Sequence, residues 1–240
     1  MKAVIVIPAR WASTRFPGKP LAMIAGVSLI QRVYERATLS RLASAVYVAT
    51  DDARIATHVS SFGGLVLQPE GDFQSGTDRI AAAVRLLPST YDAVINVQGD
   101  EPLIDPAVID QLIEALSASE MATLACPLLT DEEFAARDLV KVVTDLSGHA
   151  LYFSRAPIGS RPTALRHIGI YGYRAEALAR FTTLPPAPLE RAESLEQLRA
   201  LQNGMRIRVL LTDKPHLGVD RPEDVRRVEG ELGRLADGTH

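Results

Sequence analysis

Residues 3–7 read Ala-Val-Ile-Val-Ile, apolar at every position and β-branched at four of the five. A strand with no polar face must be covered on both sides, the situation of a strand in a parallel sheet between two helical layers. Pro8 and Arg10 end the run, so it is too short for a signal peptide or a membrane span. No other segment reaches spanning length, which predicts a cytoplasmic protein without membrane insertion. Short runs of the same kind recur at 46–49, 65–67 and 93–97. Between them lie helical stripes: Ile30, Val33, Tyr34 and Ala37; Ile80, Val84 and Leu87; Val108, Ile109, Leu112, Ile113 and Leu116. Asp105 is placed to cap the third helix, with Pro106 in its first turn. Strand alternating with helix implies right-handed crossovers and a doubly wound, mostly parallel α/β sheet.

The second half is less regular. Strands are expected at 140–144, 151–154, 168–173 and 206–211, and a helix over 189–202 that stops at Gly204. A last helix runs from Pro222 to about Leu235, before a frayed tail over 237–240. A chain of 240 residues with no clear linker reads as one α/β domain carrying an appended arm. The net charge of −3 argues against general affinity for nucleic acid or anionic membranes, but local basic clusters can still take an anionic substrate. The single cysteine, Cys126, excludes an intrachain disulfide and suits a reducing compartment. Inside an apolar run it reads as a buried core thiol rather than a nucleophile.

The first strand opens into Pro8-Ala9-Arg10-Trp11-Ala12-Ser13-Thr14-Arg15-Phe16-Pro17-Gly18-Lys19. That places three cations, two hydroxyls and a glycine at the C-terminal end of a central strand, the edge where open α/β sheets bind ligands. Arg10, Arg15 and Lys19 suit a triphosphate, with Ser13 and backbone N–H groups as neutral donors. The alternative is a solvated basic loop. A Walker A loop would need glycine at Ser13 and Ser or Thr at Pro20, and the dinucleotide fingerprint spacing is missing.

A second loop, Gln98-Gly99-Asp100-Glu101-Pro102, closes the strand at 93–97 and puts Asp100 at the same edge. Magnesium takes a few carboxylates together with phosphate oxygens and water, so Asp100 is a candidate ligand; the competing role is a turn cap beside Gly99. Asp220 precedes Pro222 and is either a second ligand or a residue favouring the helix N-terminus. Glu101 is left out of the metal site. Ser75-Gly76-Thr77-Asp78 opens the helix at Ile80 and reads as an N-cap unless it also meets a ligand. No Ser-His-Asp or Cys-His set suggests a covalent intermediate.

Eight ordered segments between Ile5 and about Val228 are similar to one family: IPARWASTRFPGKPL, VYVATDD, QSGTDRI, INVQGDEPLI, ALYFSRAPI, RHIGIYGYR, LEQLRAL and GVDRPEDV. The first resembles the signature of sugar nucleotidyltransferases, and the set resembles the 3-deoxy-manno-octulosonate (Kdo) cytidylyltransferases, the CMP-Kdo synthetases. The resemblance implies a Rossmann-like nucleotidyltransferase fold with a small β-rich arm for dimerisation and sugar binding. Its parts would be a nucleotide-binding part at roughly 1–130, a sugar-binding and dimer-arm part at roughly 131–215, and a metal motif with the last helix at 216–240. The implied reaction activates Kdo with CTP and Mg2+, releasing pyrophosphate, for lipopolysaccharide synthesis by a homodimer. The implied nucleotide set is Pro8, Ala9, Arg10, Ser13, Arg15, Lys19, Ser75, Gly76 and Gln98. Arg10, Lys19 and Asp100 would be catalytic, and Asp100 and Asp220 would hold the metal. Gln98, Arg155, His167, Tyr171, Glu196 and Gln197 would take the sugar, arginine suiting its carboxylate and the others its hydroxyls. The alternatives are the same chemistry on 8-amino-Kdo or another acidic keto-sugar, or a nucleotide-binding protein without catalysis. One departure is the stretch 159–166, shorter than the insertion the family usually carries there.

Overall fold

The computed structural model describes all residues except 13, 14, 72, 74, 75, 129, 214, 215 and 237–240. The chain begins with β1 (Ala3–Pro8), a 3-10 turn (Lys19–Leu21), β2 (Met23–Ile24), β3 (Val27–Ser28), α1 (Leu29–Thr38), β4 (Ala43–Ala49), α2 (Ala53–Ser61) and β5 (Leu65–Leu67). Next come α3 (Gly76–Val84), β6 (Ala93–Asn96), α4 (Pro106–Ala115), β7 (Met121–Pro127), α5 (Asp131–Ala135), β8 (Lys141–Thr144) and β9 (Ala150–Ser154). It ends with β10 (Leu165–Arg174), α6 (Ala175–Thr183), α7 (Pro188–Glu193), α8 (Gln197–Gln202), β11 (Ile207–Leu211) and α9 (Pro222–Ala236).

Two compact units divide the chain. The first comprises Met1–Ala3, Tyr91–Ile95 and Asp110–Lys214; the second comprises Val4–Thr90, Asn96–Ile109 and Pro215–His240. In the second unit the strands lie in the order β1-β4-β5, with β4 and β5 parallel. All five residues from Ala3 to Ile7 are fully buried, as a strand without a polar face requires. Each such Val or Ile contributes roughly 1.5–3 kcal/mol by leaving water. Helix α1 buries Leu29, Ile30, Val33 and Ala37, and its first turn is capped by Ser28, whose Oγ accepts from Gln31 N–H.

In the first unit the order is β11-β7-β10-β6, with β11 parallel to β7 and β10 antiparallel to it. A hairpin of β8 and β9 adds to β10 through β8. The sheet is thus mixed and mostly parallel, the α/β class read from the sequence. Strand β7 is an addition to the expected strands: its sequence shows an apolar run without the alternation or flanking turns that mark a strand.

Three further expectations need correction. The single helix over 189–202 is two, α7 and α8, broken where Ser194 takes a left-handed conformation at φ 54°. The Ile80 stripe ends early: α3 stops at Val84, leaving Leu87 beyond it. Cys126 is half-buried rather than enclosed, and the partial desolvation pushes its thiol pKa up, away from nucleophilic chemistry.

Candidate active site

Backbone contacts bring two loops together at the end of β1. Ala9 N–H donates to the Ala49 carbonyl at 2.9 Å, and Val97 N–H to the Val6 carbonyl at 3.3 Å. Gly99 lies so close to β1 that a Cβ there would be 2.8 Å from the Pro8 carbonyl oxygen. Only glycine permits that approach. The basic loop closes on itself: Gly18 N–H donates to the Trp11 carbonyl at 3.1 Å, with Gly18 at φ 69°, and Lys19 N–H donates to the Phe16 carbonyl at 3.1 Å.

Lys19 is thereby aimed at two carboxylates. Its ammonium donates to Asp100 Oδ2 at 2.9 Å and to Asp220 Oδ1 at 3.4 Å, and Arg15 reaches the same Asp220 oxygen at 3.2 Å. Asp220 does not cap α9. Asp224 does that, accepting from the N–H groups of Asp220 and Arg221, both at 2.9 Å, and so leaves the Asp220 carboxylate for the cations. Val219 N–H donates to the Asp100 carbonyl at 2.9 Å, which ties the two acidic segments together. Glu101 turns instead toward His216, 3.6 Å from its Nδ1.

These groups line one cleft of about 360 Å³. Of the expected residues, Pro8, Ala9, Arg10, Arg15, Lys19, Gly76, Gln98, Asp100 and Asp220 lie on its wall. Ser13 and Ser75 fall outside the described residues. Phe73 and Arg79 also line it and were missed. Arg79 is buried, pairs with Asp51 at 2.8 Å and stacks over the Phe73 ring at 5.0 Å. Its signal was the arginine inside QSGTDRI, one turn into a helix that starts at the ligand edge. Among the described lining residues there is no serine, cysteine or histidine. The cations and flat aromatic face that do line it suit an anionic ligand carrying a planar ring.

The acidic pair also fits a divalent ion. Two carboxylates with side chains 30% and 50% exposed converge on one ammonium, so a site for positive charge is already shaped between them. Among the described residues no group of three or more His, Cys, Asp or Glu makes a full cage. Magnesium, which completes its shell with phosphate oxygens and water, is the ion such a pair suits.

The remaining expected residues belong to the other unit. His167 lies on β10 with its Nε2 3.0 Å from Thr123 Oγ1. Thr123 donates its proton to the Ile170 carbonyl at 2.8 Å, so its oxygen accepts from an imidazole in the Nε2–H tautomer. Phe153 and Tyr171 pack on the His167 ring at 5.0 and 5.4 Å. Desolvation pushes the His167 pKa down to about 3, and burial, then the neighbouring Tyr173 and Glu196, holds the Tyr171 phenol well above its usual value. Among the described residues the buried Tyr171 hydroxyl meets no partner in hydrogen-bond geometry. Arg155 Nε donates to the Glu193 carbonyl at 3.1 Å, just before Glu196 and the buried Gln197 at the start of α8. Fully buried Lys141 donates to the carbonyls of Ala136, Leu139 and Arg155 at 2.7, 2.7 and 2.8 Å and fixes the backbone under Arg155. In the short 159–166 stretch, Ser160 and Thr163 close a turn and Arg161 pairs with Asp131 at 2.7 Å.

Known proteins resemble this chain in sequence and fold. The sequence model of the cytidylyltransferase family matches residues 4–207. A 3-deoxy-manno-octulosonate cytidylyltransferase from Syntrophotalea carbinolica is 51% identical, covering 98% of this chain and 100% of the relative. Another from Geobacter sulfurreducens is 47% identical, covering 97% and 100%. A solved structure of CMP:2-keto-3-deoxy-manno-octonic acid synthetase complexed with CTP superposes with a TM-score of 0.92 at 40% identity, covering 98% of this chain and 100% of that one. A 4-diphosphocytidyl-2C-methyl-D-erythritol synthase from Anaerococcus prevotii, 13% identical with a TM-score of 0.66, shares the fold.

Proposed function

The chain belongs to the 3-deoxy-manno-octulosonate cytidylyltransferases, and from that premise we propose how its residues carry out the activation of Kdo with CTP. The observation that carries the reading is the Lys19 ammonium shared by Asp100 and Asp220 at the mouth of a cleft walled by Arg10 and Arg15. In this reading Arg10, Arg15 and Lys19 hold the triphosphate, and Phe73, Gly76, Arg79 and Gln98 form the nucleoside side of the cleft. The anomeric hydroxyl of the sugar attacks the α-phosphorus: a new O–P bond forms, the P–O bond to pyrophosphate breaks and the hydroxyl proton passes to water. Lys19 and Arg10 stabilise the charge that develops on the phosphoryl oxygens and on the departing pyrophosphate. Asp100 and Asp220 are the residues that would hold magnesium. When bound, the ion adds positive charge against the triphosphate and aligns it for in-line displacement.

Arg155, His167, Tyr171, Glu196 and Gln197 are assigned to the acceptor, with Arg155 for its carboxylate. The family resemblance supports this assignment, together with their gathering around β10 and the start of α8 in one unit. The same resemblance supports a cytoplasmic homodimer whose product enters lipopolysaccharide assembly. Among the described residues no helix is long and apolar enough to cross a membrane.

Two measurements test the reading. Pyrophosphate release is expected only with CTP, Mg2+ and Kdo together; a panel including 8-amino-Kdo and a nine-carbon acidic sugar fixes the acceptor. Asp100→Asn should lower turnover roughly 100-fold or more while CTP binding changes little, since the carboxylate acts on charge in the transition state. Unchanged turnover in Asp100→Asn would remove the metal role.

A further inference from the structure

Trp11 is the only tryptophan in the chain, and it is not among the described residues that line the cleft. One face of the indole lies against Gly18, where a Cβ would come within 2.9 Å of the ring. On the ring sits the Arg54 guanidinium, 3.4 Å from the ring centroid. Arg54 is itself held: Asp52 accepts from its Nε at 3.0 Å, from its Nη2 at 2.7 Å and from its backbone N–H at 2.9 Å. Asp52 is also the cap of α2, so the gripping carboxylate is fixed to a helix terminus. The backbone of Trp11 accepts from Gly18 N–H at 3.1 Å. Ring and carbonyl together therefore tie Trp11 to Gly18, the residue before Lys19.

We propose that Trp11 and Arg54 are positioning residues for the reaction: the indole, held between the Gly18 backbone and the Arg54 guanidinium, keeps the basic loop in the shape that aims Lys19 at the acidic pair. Neither residue need touch the nucleotide. Without the ring the loop keeps its Gly18-to-Trp11 and Lys19-to-Phe16 hydrogen bonds but loses the packing on the left-handed Gly18 turn that precedes Lys19. Loops of this length sample many shapes unless a packed side chain restricts them, and each such restriction removes an ordering cost from ligand binding. A stacked guanidinium on a half-buried indole contributes on the scale of a few-fold in such an equilibrium.

The inference rests on the reading of Lys19 as a triphosphate ligand, so the experiment carries both. Steady-state kinetics with CTP, Mg2+ and Kdo would compare wild type, Trp11→Leu, Trp11→Phe, Arg54→Ala and Lys19→Ala, with a melting curve for each. Trp11→Leu is expected to raise KM for CTP roughly five- to tenfold, leaving KM for Kdo within about twofold. Trp11→Phe, which keeps a ring on Gly18, should recover most of the loss. Arg54→Ala should raise KM for CTP roughly two- to fivefold and make the indole more accessible to acrylamide quenching of its fluorescence. The proposal is overturned if a folded Trp11→Leu keeps the wild-type KM for CTP, or if both KM values rise together. Should Trp11→Leu fail to fold, Arg54→Ala decides by the same two criteria. Normal CTP kinetics in Lys19→Ala would bring down the triphosphate reading itself. A crippled Lys19→Ala beside a normal Trp11→Leu would bring down only the strut.

Discussion

Lys19 and Gly99 show how single positions shape the cleft by opposite means. Lys19 acts through charge, satisfying two carboxylates that would otherwise repel at short range. Gly99 acts through absence, since its missing Cβ lets the loop bearing Asp100 approach the end of β1. The atom a Cβ would strike is backbone, the Pro8 carbonyl oxygen, which cannot swing aside as a flexible side chain can. Gly99→Ala should therefore push the two loops apart, costing about 1–3 kcal/mol in urea unfolding and lowering turnover as Asp100 moves away from Lys19. A fully active Gly99→Ala of wild-type stability would show that the approach is not needed. The cations and Asp100 were legible from sequence because they lie in the two loops that leave the apolar strands β1 and β6, and strand ends are where sheet ligands sit. Phe73 and Arg79 were not, because neither lies at a strand end: one precedes α3 and the other is a turn inside it.

Among the elements, the break between α7 and α8 is the clearest departure from the sequence pattern. The 189–202 segment has helix-forming composition throughout, yet Glu190 is needed in two places. It accepts from Ala187 N–H at 2.9 Å and from Arg199 Nε at 2.9 Å, and Arg199 is buried. Bringing Arg199 back onto Glu190 requires a turn between them, made by Ser194 in the left-handed region with Leu195 N–H closing onto the Glu190 carbonyl at 3.1 Å. A buried ion pair thus outweighs about 0.5 kcal/mol per residue of helix propensity. A non-glycine residue in that conformation carries strain, so Ser194→Gly should stabilise the protein by about 0.5–1 kcal/mol in a denaturant titration. Destabilisation instead would mean that the serine side chain, rather than the backbone angle, matters there. Asp105 at the start of α4 is the opposite case: its Oδ1 accepts from Ala107 N–H at 2.9 Å, as a cap two residues before an apolar stripe suggests.

For the whole molecule, the buried polar groups around β10 set a dependence on acidity. The His167 pKa is depressed to about 3 by desolvation, against about 6.5 for the unfolded chain. Below the unfolded value the unfolded state takes up a proton that the folded state refuses. The contribution of His167 to stability is therefore intact above about pH 6.5 and is lost progressively as the pH falls toward 3. Part of the ring stays accessible, so the slope is shallower than for a fully enclosed imidazole. Urea unfolding at pH 7 and pH 5 should show a larger fall for wild type than for His167→Gln. Equal falls in the two proteins would remove this histidine from the acid response.

The order of apolar strands and amphipathic helices, and the cations and carboxylate next to strand ends, follow from local sequence. Burial on two faces and charge at a strand terminus are both written in consecutive residues. The meeting of Asp100 and Asp220 on one ammonium, the glycine-only approach of two loops, the helix broken for Arg199 and the entry of Arg79 into the cleft were decided by tertiary structure. Each depends on a distance between residues remote in the chain, and such distances are fixed only when the elements pack.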